Sequence, residues 1–411
     1  VHRLVYNVFF HPLRKVPGPL FAKFSRLWLF MEDYGGNPHT TILKLHQRHG
    51  PLVRISPNEV SVNDINCNPT IYSQTTPWLK VPYHYTAFKS TTAFSIFTEL
   101  DPDVHSTHLK LLSPSFSYAY VHERESQIYA KSSQMIAGIA SRVQRKEQVE
   151  LMSVIRSLAL DIVTEYTYGK ATGALKTFET DLFEIFDKAV QSVIYVGRSF
   201  ATMCPSSLKH IAAISGLKLT KQNDYQDAAF HRPNIFQNVL AMSKKKEIPI
   251  SDAELHTHPY LARLIKFCDV GADTTAAAVS VGMYHLLQNP ELYKRLQQEL
   301  IQVMPERSSQ PSLTTLENLP LLNAVIKEGL RIACPIRGHM PRIVPSQGWN
   351  YAGVYFPPNS VVATSAYYGC YDEKVFPNPK VYDPTRWLAE DTSLLNNYLQ
   401  PFSRGTRQCI G

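Results

Sequence analysis

The chain has 411 residues, a net charge of +8 and a hydrophobic content of 44%, with a pI near 9.0. That much apolar residue supports a large core and excludes intrinsic disorder. A basic balance points to nucleic acid, an anionic membrane surface or an acidic protein partner. No basic cluster with interleaved aromatics occurs, which disfavours nucleic acid. The short run Lys244 to Lys246 reads as a solvated loop.

The first residues, VHRLVYNVFFHPLRKVPGP, hold an apolar run of only a few positions. A membrane-spanning helix needs about 20. Residues 5–10 are a candidate for membrane contact or for packing on the body of the chain. Residues 52–63 (LVRISPNEVSVN) alternate and turn at Ser56-Pro57-Asn58, which predicts a hairpin. A short helix is expected over 64–73, and 77–99 is aromatic-rich and irregular. Residues 105–118 and 121–170 read as helical. A long helical pattern runs over 255–288 and stops at Asn289-Pro290. Another helix is expected over 319–332. Residues 360–366 look like a strand, followed by a Pro-rich meander over 376–387. The sum is mainly α with a small β region, with no linker or repeat dividing it.

Six cysteines (Cys67, Cys204, Cys268, Cys334, Cys370, Cys409) are scattered without paired spacing. That argues against a disulfide framework and for reduced thiols. There is no N-x-[ST] sequon. Both features suit a chain facing the cytosol.

Three motifs carry chemistry. Residues 401–411 read PFSRGTRQCIG, placing Phe402, Gly405, Arg407, Cys409 and Gly411 in F-x-x-G-x-R-x-C-x-G. A glycine-flanked loop of this kind suits presentation of a thiolate to a metal. A turn with a buried free cysteine is the other fate of such a residue. The long helix contains Val270-Gly271-Ala272-Asp273-Thr274-Thr275, an acid beside an alcohol in an apolar setting. Such a pair can deliver protons where water is scarce; the bland alternative is a threonine bonded back to its own helix. Glu328-Gly329-Leu330-Arg331 is an i,i+3 ion pair. His256-Thr257-His258 could form a metal pair, but a polar loop is much the stronger reading.

Taken together and in this order, these motifs resemble the cytochrome P450 superfamily, the haem-thiolate monooxygenases. The resemblance runs from the Pro/Gly hinge to the cysteine loop. YNVFFHPLRKVPGP, HRPNIFQNVL and LENLPLLNAVIKEGLR are most similar to fungal microsomal members of secondary metabolism, among them the trichodiene oxygenase-like group that hydroxylates terpenoid skeletons.

The resemblance implies a P450 fold around haem b, with Cys409 as axial ligand and metal site. It implies Thr274 and Asp273 as the proton pair, with Val270 standing where the family has Ala or Gly. It implies that Arg407, Arg342, Phe402 and His105 contact the cofactor, and that Glu328, Arg331 and Arg386 form a structural network. One departure stands out. DPDVHSTHLKLLSPSFS resembles H-x-x-R-R-x-x-L-x-P-x-F-S, but His108 and Leu109 replace both arginines, leaving Lys110 as the nearest stand-in.

The implied partners are NADPH–cytochrome P450 reductase, cytochrome b5, O2, a small apolar substrate and the cytosolic face of the endoplasmic reticulum membrane. Residues 1–20 correspond to the hinge after a membrane anchor. Residues 21–411 correspond to the haem domain without the helix that follows the cysteine loop, so a chain cut at both ends is expected. Two other functions compete: a degenerate haem-binding protein, motivated by the lost arginines, and a reductase-independent isomerase or dehydratase, which Asp273-Thr274 disfavours.

Overall fold

The computed structural model describes residues 2–76, 78–86, 96–178 and 258–411, with isolated helical positions at 235, 238, 241, 242 and 245; of residues 3, 168 and 258–270 only the backbone is described. The described residues are mostly helical with a small sheet.

After short helical turns over His2–Val5, Tyr6–Phe10 and Pro12–Lys15 come three helices: α1 (Leu20–Phe24), α2 (Leu27–Tyr34) and α3 (Pro38–His49). Then comes the hairpin of β1 (Leu52–Ser56) and β2 (Glu59–Val62). Its register pairs Leu52 with Val62 and Arg54 with Val60, so the turn falls at Pro57-Asn58. Alternation along these strands does not mark one wet face, because both strands are buried throughout. Successive side chains point to opposite faces, and each face has its own core. Leu52, Val60 and Val62 pack with Leu13, Val16 and Val362. Val53 and Ile55 pack with Leu29, Ile42 and Tyr368.

Helices α4 (Pro102–Leu112), α5 (Glu125–Gln144) and α6 (Leu151–Tyr168) follow. The stretch 121–170 is therefore not one helix. Lys146 adopts a positive φ of 58° that ends α5, and the Glu150 carboxylate accepts from Ser153 N at 2.6 Å to start α6. The long helix α7 (His258–Leu287) runs against α6, and α8 (Pro290–Val303) begins just beyond the Asn289-Pro290 stop.

Helix α9 (Pro320–Ala333) buries Leu321, Ala324, Val325, Glu328, Gly329, Arg331 and Ile332. It crosses α7 at two glycines: a Cβ on Gly329 would lie 3.4 Å from Cα of Gly282. Four more strands complete the sheets: β3 (Met340–Ile343), β4 (Trp349–Tyr351), β5 (Val354–Phe356) and β6 (Val361–Thr364). The larger sheet has the order β1-β2-β6-β3, with β2 and β6 parallel and the other pairs antiparallel; β4 and β5 form a separate ribbon.

Beside β3 the chain before residue 82 adds a short edge. Lys80 bridges Arg342 in antiparallel register, and Ile343 N donates to Leu79 O at 2.9 Å. That pairing carries the 78–85 segment onto the face from which Arg342 projects.

Candidate functional site

The cysteine loop is built from its backbone. Cys409 N donates to Phe402 O at 2.9 Å, and Gln408 N donates to Gly405 O at 3.0 Å. Gly405 sits at φ +79°, and a Cβ there would lie 2.0 Å from Tyr72 O, so only glycine fits. Ile410 packs on Leu111, Leu112 and Phe116, which ties the loop to α4 and the turn after it. The Cys409 thiol is exposed and donates to Gly411 O at 2.7 Å. Phe402 engages the loop through its carbonyl; its ring is 48% exposed.

Around this loop the fold gathers cations. Arg407 donates to Glu99 O at 2.8 Å. Arg342, buried on β3, donates to Pro341 O at 3.0 Å and to the Tyr85 hydroxyl. Its guanidinium lies 5.0 Å from the Tyr72 ring centre and 5.4 Å from that of Tyr85. Lys80 is also buried; its ammonium donates to Phe97 O and stands 4.6 Å from the Tyr85 ring centre.

These groups strain against one another. Burial, then Arg342 and Arg407, push the Lys80 ammonium well below the usual lysine range, with Glu99 opposing. Burial, then Arg342, lower Arg407 to about 10. His105 on α4 is brought to about 3 by burial, then by Arg407, Lys80 and His108, so it is neutral near pH 7. Among the described residues Lys80 and Arg407 both face the Glu99 carboxylate, and Asp101 adds an attraction at Arg407. One Glu99 oxygen already accepts from Leu100 N at 2.9 Å and Asp101 N at 3.0 Å. Basic groups buried this close together favour an anionic ligand.

The acid of the long helix is held from another direction. Asp273 receives a bidentate pair from Arg156 on α6, through Nε and through Nη2 at 3.0 Å. Arg156 is nearly buried, whereas the Asp273 side chain is 32% exposed. Beside it, Ala272 packs with Leu160 and Val163 of α6. Thr274 is half-buried and engaged by neighbours. The Val270 side chain and His256-Thr257-His258 lie outside the described side chains, and no metal-type cluster of three ligands occurs among the described residues.

A family model described as Cytochrome P450 matches residues 16–411. The chain belongs to the cytochrome P450 family. It is 31% identical to the cytochrome P450 monooxygenase hkm5 of Aspergillus hancockii, over 99% of this chain and 82% of that protein. It is 30% identical to the monooxygenase astB of Aspergillus terreus, over 100% and 84%. A third relative, pbrB of Penicillium brasilianum, is 28% identical over 100% and 84%. The protein is accordingly an oxidoreductase of the monooxygenase type, and its cofactor is haem b with an axial cysteine thiolate. The described residues fit that group: haem carries two carboxylates, and Lys80, Arg342 and Arg407 are basic side chains gathered beside the cysteine loop that could receive them.

The P450 also buries its Glu328–Arg331 pair completely. Arg331 donates to Glu328 at 2.9 and 2.8 Å, and to Cys370 O at 2.8 Å, Pro379 O at 2.7 Å and Val381 O at 3.2 Å. Glu328 also accepts from Asp383 N and Trp387 Nε1, each at 2.9 Å, with Arg386 Nε at 3.4 Å. This network pins α9 to the Pro-rich segment. Phe376, Trp387 and Leu399 there share one apolar cluster with Ala324, immediately before the cysteine loop.

Two residues of the site were not legible in the sequence. Lys110, the expected stand-in for the missing arginines, is exposed on α4, and the cation that reaches the pool is Lys80. Lys80 gave a faint signal as a lone charge in Trp78-Leu79-Lys80-Val81. Arg156 gave a stronger one, as the single charge in the apolar run Leu151 to Leu160.

Proposed function

We propose that this P450 inserts one oxygen atom of O2 into a small apolar substrate of secondary metabolism, the other atom leaving as water. Terpenoid skeletons are the narrower class. Electrons come from NADPH through NADPH–cytochrome P450 reductase, with cytochrome b5 as an accessory donor. The net charge of +8 favours encounter with an acidic flavoprotein. Cys409 would hold the haem iron through its thiolate. When bound, the haem supplies the iron at which O2 is cleaved, and the thiolate pushes electron density toward it.

The observation that carries the reading is the Asp273–Arg156 pair beside Thr274. Proton delivery into a dry pocket needs an acid that reaches water on one side and a relay on the other. The Asp273 carboxylate is partly exposed and held by a guanidinium. It takes a proton from solvent by loosening that pair and passes it to the Thr274 hydroxyl, which both donates and accepts. A peroxide isomerase has no need of this arrangement.

The protein works at a membrane surface on the endoplasmic reticulum. No helix among the described residues is long and apolar enough to cross a membrane. Phe9, Phe10, Leu20, Phe21, Met31 and Tyr34 are exposed on the first elements of the chain, at 59–75% of their surface. A cluster of that kind suits interfacial docking.

The test is spectroscopic and kinetic. Reduced haem-loaded protein with carbon monoxide is expected to show the red-shifted Soret band of thiolate ligation, and Cys409→Ser to abolish it. Thr274→Ala is expected to retain the band but yield less product per NADPH consumed. A retained band in Cys409→Ser overturns the ligand assignment. Unchanged coupling in Thr274→Ala removes Thr274 from the proton path.

A further inference from the structure

Two thiols that the haem site does not use meet in the core. Cys334 closes α9 as its C-cap, and Cys370 ends the short helix Ala366–Cys370. Three hydrogen bonds lace these two chain ends together: Arg331 Nη1 to Cys370 O, Tyr371 Oη to Ile332 O and Ser365 Oγ to Arg337 O, each at 2.8 Å. Both cysteines are wholly buried in one apolar cluster with Ile42, Val53, Ile55 and Tyr368. Their side chains hydrogen-bond to each other, Cys334 donating and Cys370 accepting. Ile336 O is a longer alternative acceptor for the Cys334 thiol, at 4.0 Å.

Two further observations set this pair apart from a packing contact. Cys334 lies in the left-handed region, at φ 35° and ψ 67°, a helix end that normally calls for glycine. A side chain kept there at a conformational cost points to a use for that side chain. Cys370 Sγ also accepts from Gln400 N, and Gln400 directly precedes Pro401, where the cysteine loop begins. The surroundings of Cys370 favour its thiolate. The Cys334 thiol, then the Arg331 guanidinium and Gln400 N, pull Cys370 below the usual thiol range against burial and Glu328. The same thiol–thiol contact, with burial, holds the proton on Cys334. One sulfur is thus disposed to attack and the other to resolve, the order of events in a dithiol that forms a disulfide.

We propose that Cys334 and Cys370 are a peroxide-oxidised dithiol, whose disulfide loosens the backbone contact at the start of the cysteine loop. The Cys370 thiolate attacks one peroxide oxygen. The S–O bond forms, the O–O bond breaks, and hydroxide leaves and takes up the proton lost by the Cys370 thiol. Cys334 then attacks the sulfenic sulfur; the S–S bond forms, the S–O bond breaks, and water leaves with the Cys334 proton. Two electrons pass from the sulfurs to the peroxide, which ends as two waters. A disulfide sulfur carries no charge and turns toward Cys334, so Gln400 N loses its acceptor. Hydrogen peroxide forms whenever two electrons and two protons reach O2 without insertion into substrate, so a monooxygenase supplies this oxidant itself. The molecule is small enough to enter through local openings of a buried site. The dithiol does not depend on the monooxygenase reading, which only names a local source of peroxide.

The experiment treats haem-loaded wild type, Cys334→Ser and Cys370→Ser with hydrogen peroxide, with and without dimedone. Free thiols are then alkylated in denaturant and the digest is mapped by mass spectrometry, while the Soret band records bound haem. Wild type is expected to yield a peptide pair joined through Cys334 and Cys370, lighter by two hydrogens and separated by reductant. Cys334→Ser is expected to stop at a sulfenic acid on Cys370, trapped by dimedone, and Cys370→Ser to give neither product. Cys67, its thiol pushed up to about 11 by burial, should remain reduced. Oxidised wild type should pass haem to excess apomyoglobin about 2- to 5-fold faster than reduced wild type, the equivalent of one weak hydrogen bond, and reductant should restore the slower rate.

No joined peptide at the peroxide level that oxidises Cys67 or bleaches the haem overturns the proposal. A dimedone adduct on Cys334 in Cys370→Ser overturns the order of attack. Haem transfer unchanged by the disulfide overturns the link to the cysteine loop. If the serine variants do not fold, the wild-type peptide map and transfer rates decide alone.

Discussion

Replacing Arg331 by methionine should be among the most damaging single changes in this protein. Arg331 and Glu328 are both wholly buried. The substitution removes two hydrogen bonds to the Glu328 carboxylate, at 2.8 and 2.9 Å, and strips donors from the carbonyls of Cys370, Pro379 and Val381. What remains on Glu328 is Asp383 N, Trp387 Nε1 and the more distant Arg386. Removing one partner of a buried ion pair costs about 3–5 kcal/mol. The carbonyls would add about 1 kcal/mol each if independent. They are not independent, and Arg386 can close from 3.4 Å onto the carboxylate. A loss of about 3–5 kcal/mol is therefore expected, a large share of the 5–15 kcal/mol that typically holds a domain.

Urea unfolding of the haem-loaded protein measures it, with tryptophan fluorescence reporting the fold and the Soret band reporting the cofactor. Trp387 donates to Glu328 directly, so one of the four tryptophans sits in the network. The double variant Glu328→Gln with Arg331→Met should lose less than the single change, because it leaves no unpaired buried charge. A single-variant loss below about 1 kcal/mol, or a double variant clearly worse than the single, would refute the reasoning.

Gly405→Ala should cost haem occupancy more than global stability, because its Cβ would meet Tyr72 O at 2.0 Å in a left-handed turn; absorbance of haem against protein checks it, and full occupancy would show that the loop can shift. Arg156→Met should leave the carbon monoxide spectrum intact while product per NADPH falls several-fold, since Asp273 loses the group that holds it; unchanged coupling would make the pair purely structural. Acid should destabilise the fold through His46, whose Nδ1 donates to Gly50 O at 2.9 Å and whose Nε2 shares a hydrogen bond with Ser61 Oγ at 2.8 Å. Burial lowers His46 to about 4 from an ordinary 6.5, so below pH 6.5 the unfolded chain takes up the proton more readily. That contribution is present above pH 6.5 and is lost as pH falls toward 4, amounting to about 2 kcal/mol at pH 5. Unfolding free energies at pH 7 and pH 5, in wild type and His46→Gln, should differ by this amount, and identical pH slopes would count against it.

The sequence by itself determined whatever chemistry is written in neighbouring residues. The cysteine loop, the Asp273-Thr274 pair and the Glu328–Arg331 pair lie within a turn or two of chain, where spacing and residue type speak directly. The long helix over His258–Leu287 and the β1–β2 hairpin followed from period and turn residues for the same reason. The two-sided burial of that hairpin did not, because alternation shows that faces differ, not whether both are covered.

Only the tertiary structure decided the electrostatics. Arg156 and Asp273 meet across 117 positions, and Arg407 reaches Glu99 across 308. Lys80 joins Arg342 and Arg407 because a strand edge carries it there. Charges interact through space in a medium whose dielectric falls with burial, and neither the distance nor the burial is encoded in local spacing. The nearest charge along the chain to the missing arginine pair is Lys110, yet its helix turns it outward. The cation that the folded chain brings beside Arg342 and Arg407 is Lys80, on another element.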